Sequence, residues 1–259
     1  MPATDLALLL DAAGRAGAIA MRHFRQSIEV HQKPAGQGPV SQVDLEIDTM
    51  LRSQLVAARP GYGWLSEETP DTAERLDREC VFLVDPLDGT RAYLDGQEGF
   101  AHALAVVENG RVTAAVVALP ALGQRYWSAR GQGAWLNGQR LTVTRPASLE
   151  GARFLVARPQ LVPALWPGGV PPVARHLRPA LAWRLALVGS GCFDGMLTLR
   201  DVWDWDLAAA SLIAEEAGAR VCDRHGAALR FNTPRPQSPG VLAAAPSLVT
   251  ALLKRLRPR

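Results

Sequence analysis

Cysteine is scarce in this chain of 259 residues, and its three copies lie far apart. Cys80, Cys192 and Cys222 show no CxxC spacing, which argues against a disulfide scaffold or a zinc site and indicates a reducing compartment. No apolar run approaches the length of a membrane span, and Asp5 and Asp11 interrupt the N-terminal apolar residues. We therefore expect a cytoplasmic protein with no signal peptide and no membrane contact.

Runs of basic residues are missing too. The chain has 28 Lys and Arg against 25 Asp and Glu, a formal net charge of +3, and the basic residues are spread along its length. This distribution favours mild attraction for anions and argues against a groove for a nucleic acid polymer. With 48% hydrophobic and 20% charged residues, and with no internal repeat, the composition is typical of a globular protein with a large core.

Helices and strands are distributed unevenly along the chain. Apolar periodicity predicts an amphipathic helix over residues 4–25, a turn through residues 33–36 and a second helix that begins near Ser41. Beyond these, β-rich runs with two Asn-Gly turns predict an antiparallel meander. After a Pro-rich passage, strands alternate with helices, which is typical of a sheet covered on both faces. We expect an N-terminal α+β lobe over residues 1–145 and a C-terminal α/β lobe over residues 146–259.

The most informative stretch is VFLVDPLDGTR, residues 81–91. Its four apolar residues predict a short buried strand that ends at two carboxylates, Asp85 and Asp88. Like charges this close repel each other, so a site that keeps both ionised usually supplies a cation. An ordinary surface turn is the alternative interpretation of the same motif.

The turn after Asp85 also suggests how such a cation would be bound. A Pro-x-Asp-Gly turn allows Asp85, Asp88 and the Leu87 carbonyl to face one point, while the amides of Gly89 and Thr90 are free to receive an anion. Oxygen ligands of this kind suit a hard metal ion beside a phosphate group.

Further acids stand elsewhere in the chain, each with a plain structural alternative. Glu67 and Glu68 follow a short strand, where exposed acid pairs are common. Asp44 lies three residues after Ser41 in the spacing of a capping box, and Asp206 lies at the start of a small-residue helix that it would also cap. Alanines behind Asp206 would let that helix pack close to a neighbouring backbone.

Four motifs in order resemble those of the inositol monophosphatase superfamily, and they span nearly the whole chain. They are Ser41-x-x-Asp44, Ser66-Glu67-Glu68, Asp85-Pro86-Leu87-Asp88-Gly89-Thr90 and Trp205-Asp206-Leu207-Ala208-Ala209. Within the superfamily the chain looks most like the bacterial CysQ-type 3′(2′),5′-bisphosphate nucleotidases. The resemblance implies a layered αβαβα sandwich, of the inositol monophosphatase and fructose-1,6-bisphosphatase type, and lithium-sensitive, Mg²⁺-dependent hydrolysis of a phosphomonoester with two or three ions.

The resemblance also implies roles for individual residues. Glu67, Asp85 and the Leu87 carbonyl would hold the first metal, and Asp85, Asp88 and Asp206 the second. Positioning and charge neutralisation are the contributions that phosphomonoester hydrolysis requires from a protein, and paired Mg²⁺ ions supply both.

The remaining implied roles concern water and substrate. Thr90 and Glu67 would orient the attacking water, and Asp44 would fix the Thr90 hydroxyl. The residues expected to bind the substrate are Gly89, Thr90, Asp88 and Asp206.

Four positions depart from the family pattern. Ser66 stands where relatives have Gly, and Pro179-Ala180 stands where they tend to have Gly followed by Ser or Thr. Leu199 replaces the acid that reaches the sugar ring in inositol-specific members, which counts against inositol. Basic residues near the motifs favour a more anionic substrate, with a solvated surface as the alternative for each: Arg91, Arg184 and Arg200.

These observations leave several functions open. The leading hypothesis is a phosphatase acting on a small phosphorylated metabolite, a nucleotide 3′,5′-bisphosphate such as phosphoadenosine phosphate, which would yield AMP and phosphate. The alternatives are an inositol-1-monophosphatase, a broad-specificity sugar-phosphate phosphatase, and a non-catalytic regulator that binds a nucleotide or a partner protein. A homodimer is open as well.

Overall fold

The computed structural model describes residues 4–33 and 38–257. Of the turn predicted over residues 33–36, only Lys33 lies within them. The helices in these ranges are α1 (Asp5–His23), α2 (Gln42–Ala58), α3 (Thr90–Leu94), α4 (Leu181–Gly189), α5 (Asp204–Glu216) and α6 (Pro246–Leu256). None of these helices combines the length and apolar character needed to cross a membrane.

The larger sheet has seven strands in sequence order, and only its first pair is parallel. They are β3 (Gly63–Ser66), β4 (Cys80–Asp88), β5 (Ala101–Glu108), β6 (Arg111–Leu119), β7 (Gln124–Ala129), β8 (Ala134–Leu136) and β9 (Gln139–Arg140). The antiparallel pairs from β5 to β9 confirm the predicted meander.

The smaller sheet has five strands in the order β11-β10-β12-β16-β14. They are β10 (Arg153–Leu155), β11 (Ala174–His176), β12 (Gly195–Thr198), β14 (Arg220–Cys222) and β16 (Val241–Ala244). Two ribbons of two strands complete the described structure: β1 (Val30–Gln32) with β2 (Pro39–Ser41), and β13 (Val202–Trp203) with β15 (Gln237–Ser238).

Three apolar cores order these elements into five layers. The first core joins α1 and α2 to one face of the larger sheet. The second joins its other face to α4, α5 and the smaller sheet, whose far face packs on α6 in the third core. This αβαβα sandwich confirms the predicted fold, while the division at residue 145 stays a prediction.

Small side chains let α5 approach the larger sheet closely. Ala208, Ala209 and Ala210 are all buried, and they belong to the core that α5 shares with β4, β5 and β6. Alanine is a strong helix former and adds little bulk, so it favours both the helix and the short distance to the sheet. The first turn of α5 is thereby brought beside the end of β4.

Candidate metal centre

Strand β4 does not stop where the sequence suggests. The pattern predicts a strand of four apolar residues followed by a turn after Asp85, but the strand runs on to Asp88 through an irregularity after Asp85, where residues 86–87 together oppose His102 of β5. The correction has a physical reason: pairing with β5 continues past the proline, and sequence pattern cannot show that pairing. One extra residue in a strand is a β-bulge, and it reverses the alternation of faces. Asp85 and Asp88 therefore share a face.

Three carboxylates from three elements converge at this point. Glu67 follows β3, and its amide donates to the Val84 carbonyl at 3.2 Å. Carboxylate oxygens of Glu67, Asp85 and Asp206 all lie within 4.8 Å of one another. Asp206 lies in the first turn of α5, where Trp203 and not Asp206 is the N-cap residue.

The Asp85 carboxylate shows that this cluster fits a cation. Asp85 is 1% exposed. Its Oδ1 accepts the Leu87 amide at 3.0 Å, and its Oδ2 has no partner within the described chain. Burial, and then the charges of Glu67 and Asp88, raise the pKa of Asp85 well above its usual value. This buried oxygen has no hydrogen-bond partner within the described chain and lies among other carboxylates. Together these groups provide the oxygen ligands that a hard divalent ion requires.

Asp206 has a similar electrostatic environment. Burial, followed by the charges of Asp88 and Glu67, raises the pKa of Asp206 well above its usual value, and Arg200 opposes this shift. A bound cation would remove the mutual repulsion of these acids.

Asp88 lies beside the cluster and contacts helix α4. Its Oδ2 accepts the Ala182 amide at 2.7 Å. Burial raises the pKa of Asp88 to about 6, although hydrogen bonds from the amides of Ala182 and Leu181 oppose the shift. Its predicted role as a ligand of the second metal stays a prediction.

Asp44 combines the two interpretations that the sequence left open. Its Oδ2 accepts the Ser41 amide at 2.9 Å in a complete capping box. Its Oδ1 lies 3.0 Å from the Thr90 hydroxyl, which is also 3.2 Å from the Leu87 carbonyl. The hydroxyl has one proton and donates it to one of these oxygens. Helix α2 thus connects directly to the predicted catalytic threonine.

The turn between Asp88 and Thr90 requires glycine. Gly89 has a φ of 92°, and a Cβ at this position would lie 3.3 Å from the Gly99 carbonyl oxygen. Other residues rarely adopt this conformation, so the predicted phosphate-binding amides depend on Gly89 for their geometry.

Lys33 is a residue of the site that sequence reasoning missed. Its Nζ lies 2.7 Å from a carboxylate oxygen of Glu67 and 2.7 Å from one of Glu68. Burial disfavours the charge on Lys33, but the ion pairs with Glu67 and Glu68 have the larger combined effect and raise the pKa of Lys33. Burial raises the pKa of Glu68 to about 7. No local motif marks this contact, because more than thirty residues separate the partners along the sequence.

The loop that carries Glu67 is anchored to α2 through Asp48, which the sequence analysis also missed. The Ser66 hydroxyl donates to one Asp48 oxygen, and the Thr69 hydroxyl donates to the other at 2.6 Å. The Glu68 amide donates to the Ser66 hydroxyl at 3.3 Å. Ser66, noted as a departure from glycine, therefore has a structural role here. Asp48 lies one helical turn beyond Asp44, which is the signal that could have indicated it.

We expect Asp48→Ala to weaken metal binding about tenfold, because groups that orient metal ligands typically contribute that much or more. Without Asp48, both hydroxyls lose their acceptor and the Glu67 loop loses its anchor. A Mg²⁺ titration of phosphatase activity measures the change. Asp11→Ala, which removes an exposed carboxylate of α1, is the matched control. An unchanged Mg²⁺ requirement in Asp48→Ala would contradict the anchoring role.

A second anchor holds the first turn of α5. The Arg75 guanidinium binds both oxygens of Asp71 and donates to the Asn232 side chain at 2.7 Å. The backbone N–H of Asn232 donates to the Asp204 carboxylate at 3.1 Å. This chain of contacts connects the β3–β4 segment to the start of the helix that presents Asp206.

The positions expected to select the substrate lie in three different environments. Leu199 is buried and apolar. The cations of Arg184 and Arg200 lie close enough to influence the pKa of Asp88 and Asp206 respectively, although the Arg184 guanidinium already donates to two backbone carbonyls. Arg91 is exposed.

Fold and site together define a class: a layered αβαβα protein with a buried carboxylate centre suited to a divalent cation. The model of the inositol monophosphatase family matches residues 2–258. The chain belongs to this family, and it is a phosphatase.

Individual relatives agree with this membership. An inositol-1-monophosphatase of Rhizobium meliloti is 35% identical over 85% of this chain and 86% of its own. A histidinol-phosphatase of Mycobacterium tuberculosis is 31% identical over 86% of this chain and 89% of its own. Among solved structures, the Thermotoga maritima IMPase superposes with a TM-score of 0.84 at 25% identity, covering 97% of this chain and 96% of that one.

Proposed function

We propose that the protein is a Mg²⁺-dependent phosphatase whose substrate is a nucleotide 3′(2′),5′-bisphosphate. The observation that supports the metal requirement is the cluster of Glu67, Asp85 and Asp206, in which one buried Asp85 oxygen lacks a partner among the described residues. A chain without this chemistry has no physical reason to keep mutually repelling acids in a buried position.

Five groups would hold the metal ions in this proposal. Glu67, Asp85 and the Leu87 carbonyl bind one, and Asp85, Asp88 and Asp206 bind another. When bound, Mg²⁺ supplies a Lewis acid that neutralises the charge of the phosphoryl group.

The protein's own groups position the reactants. The amides of Gly89 and Thr90 receive phosphate oxygens. Glu67 and the Thr90 hydroxyl orient a water molecule, and Asp44 restrains that hydroxyl through the 3.0 Å contact. The water oxygen attacks phosphorus and loses a proton, the ester P–O bond breaks, and the leaving alkoxide takes up a proton, which gives an alcohol and inorganic phosphate.

Preference for a second phosphate rests on three side chains. Leu199 offers no hydrogen bond to a sugar hydroxyl, so the site gains nothing from inositol at this position. Arg184 and Arg200 place positive charge beside the carboxylates, and a guanidinium suits a phosphate group as a bidentate donor.

The similar proteins support a second candidate. Relatives named inositol-1-monophosphatase favour inositol 1-phosphate as the substrate, and one named fructose-1,6-bisphosphatase/inositol-1-monophosphatase favours a broader range of sugar phosphates. Others are named Nus factor SuhB, which favours a partner protein in addition to catalysis. Cytoplasmic location, lithium sensitivity and a homodimer stay predictions.

A substrate panel separates these candidates. We expect kcat/KM for 3′-phosphoadenosine 5′-phosphate to exceed that for inositol 1-phosphate by at least about tenfold, equivalent to roughly 1.4 kcal/mol of transition-state discrimination. Each substrate is assayed with Mg²⁺ and with EDTA, and the EDTA arm should abolish turnover of both. Equal or reversed values would favour the inositol candidate and leave the metal chemistry standing. Turnover that persists in EDTA would contradict the metal requirement.

A further inference from the structure

The bulge in β4 determines which face each aspartate occupies. Asp85 pairs with Ala103 of β5, and Asp88 pairs with Ala101. The two alanines are two residues apart, so they share a face, and their partners share it too. In a regular ladder, a spacing of three would place Asp85 and Asp88 on opposite faces. His102, between the alanines, is the single residue that faces the bulge from β5.

Among the described residues, the His102 side chain makes one hydrogen bond, and it is with the bulge. The imidazole is fully buried, and its Nδ1 lies 2.6 Å from the Pro86 carbonyl oxygen. A carbonyl only accepts hydrogen bonds, so Nδ1 has the proton and donates it. The Nε2 atom has no partner within the described structure. Burial lowers the pKa of His102 to about 4, so the ring is neutral near pH 7.

Pro86 needs such a donor because of its place in the strand. It has no N–H for the ladder, and it is absent from the register that pairs β4 with β5. Its carbonyl lies in the interior of the molecule, where an unpaired acceptor is costly. An aliphatic side chain at position 102 would leave this carbonyl without the donor. The strand could then recover backbone pairing by flattening the bulge, which would move Asp88 away from Asp85.

We propose that His102 is a positioning residue of the metal centre: by donating to the Pro86 carbonyl it stabilises the bulge that holds Asp85 and Asp88 on one face. Within the described structure His102 makes no hydrogen bond to Asp85 or Asp88, and it acts through Pro86. The inference rests on the metal centre proposed above, and it adds a residue from outside the four motifs.

Three variants test this role by equilibrium Mg²⁺ binding, measured calorimetrically without substrate. His102→Leu removes the donor and should weaken Mg²⁺ binding by about tenfold or more. His102→Asn keeps an N–H donor near the position of Nδ1 and should stay within about threefold of the wild type. Val106→Ala, on the same strand and the same face, creates a small cavity and should lower stability with unchanged Mg²⁺ affinity.

A spectroscopic measurement on the metal-free wild type is independent of folding in any variant. A long-range ¹H–¹⁵N correlation spectrum should show His102 protonated at Nδ1 alone. A ring protonated at Nε2 would overturn the proposal, and so would wild-type Mg²⁺ affinity in His102→Leu or an equal loss in Val106→Ala. A wild type that binds no Mg²⁺ would overturn the metal centre itself, whereas wild-type binding without loss in His102→Leu would overturn only the role of His102.

Discussion

Asp85→Asn should abolish Mg²⁺-dependent turnover, with kcat/KM lowered at least about a thousandfold, because the charge that stabilises the reacting phosphoryl group depends on this side chain. Asp85 is the most deeply buried member of the cluster, and the proposal gives it to both metals. An amide keeps the shape of the carboxylate and loses its charge. Initial rates over a Mg²⁺ series measure the effect, and near-normal turnover at saturating Mg²⁺ would refute the site.

The same substitution should stabilise the metal-free protein. The pKa of Asp85 is raised in the folded state, so the folded protein binds more protons than the unfolded chain, and stability falls as pH rises from about 4 through the raised pKa. Asp85→Asn removes this penalty. In EDTA at pH 8 the variant should unfold at higher urea concentration than the wild type, and the difference should vanish near pH 4.

Mg²⁺ and a surface variant control this stability measurement. Mg²⁺ should stabilise the wild type and have little effect on Asp85→Asn, since only a protein that binds the ion gains from it. Asp77→Asn, at an exposed aspartate, should match the wild type in both buffers. A metal-free Asp85→Asn protein less stable than the wild type at pH 8 would contradict the electrostatic account.

Asp206→Ala should lower Mg²⁺-dependent kcat/KM at least about a hundredfold, whereas Asp204→Asn should change it less than about threefold. The two aspartates lie in the same helical turn but face different partners. Asp206 belongs to the cluster with Glu67 and Asp85, while Asp204 accepts the Asn232 amide. Steady-state kinetics of both variants at several Mg²⁺ concentrations provide the comparison.

Asparagine is the informative replacement at position 204 because Asp204 is fully buried. Alanine would remove the acceptor of the Asn232 amide and lower stability. Burial raises the pKa of Asp204 to about 7, so a neutral amide removes a charge that the folded state disfavours above that pH. A greater loss of activity in Asp204→Asn than in Asp206→Ala would contradict the assignment of Asp206, and not Asp204, to the metal centre.

Sequence reasoning was most successful where the information is local. Apolar periodicity and the Asn-Gly turns are set by neighbouring residues, and they indicated the helices and the meander, whereas the five layers were implied by the family resemblance. The acids Glu67, Asp85 and Asp206 each follow a recognisable local signal, and the structure brings these three together.

Contacts between distant segments were not accessible in the same way. The bulge after Asp85 depends on pairing with β5, and the anchors at Lys33 and Asp48 join residues far apart in the chain. The CysQ-type specificity is a different case. In the proposed function the shared motifs bind the metal ions and the phosphate, whereas substrate discrimination is assigned to positions such as Leu199 that lie outside those motifs.

The bulge in β4 also determines which mutations between Asp85 and Asp88 preserve the site. Replacing Leu87 by another residue keeps the number of residues between Asp85 and Asp88, and with it their common face. Deleting or inserting a single residue there shifts Asp88 by one step along the strand and turns it toward the core beneath α1 and α2. The segment between the two aspartates is therefore constrained more strictly in length than in composition.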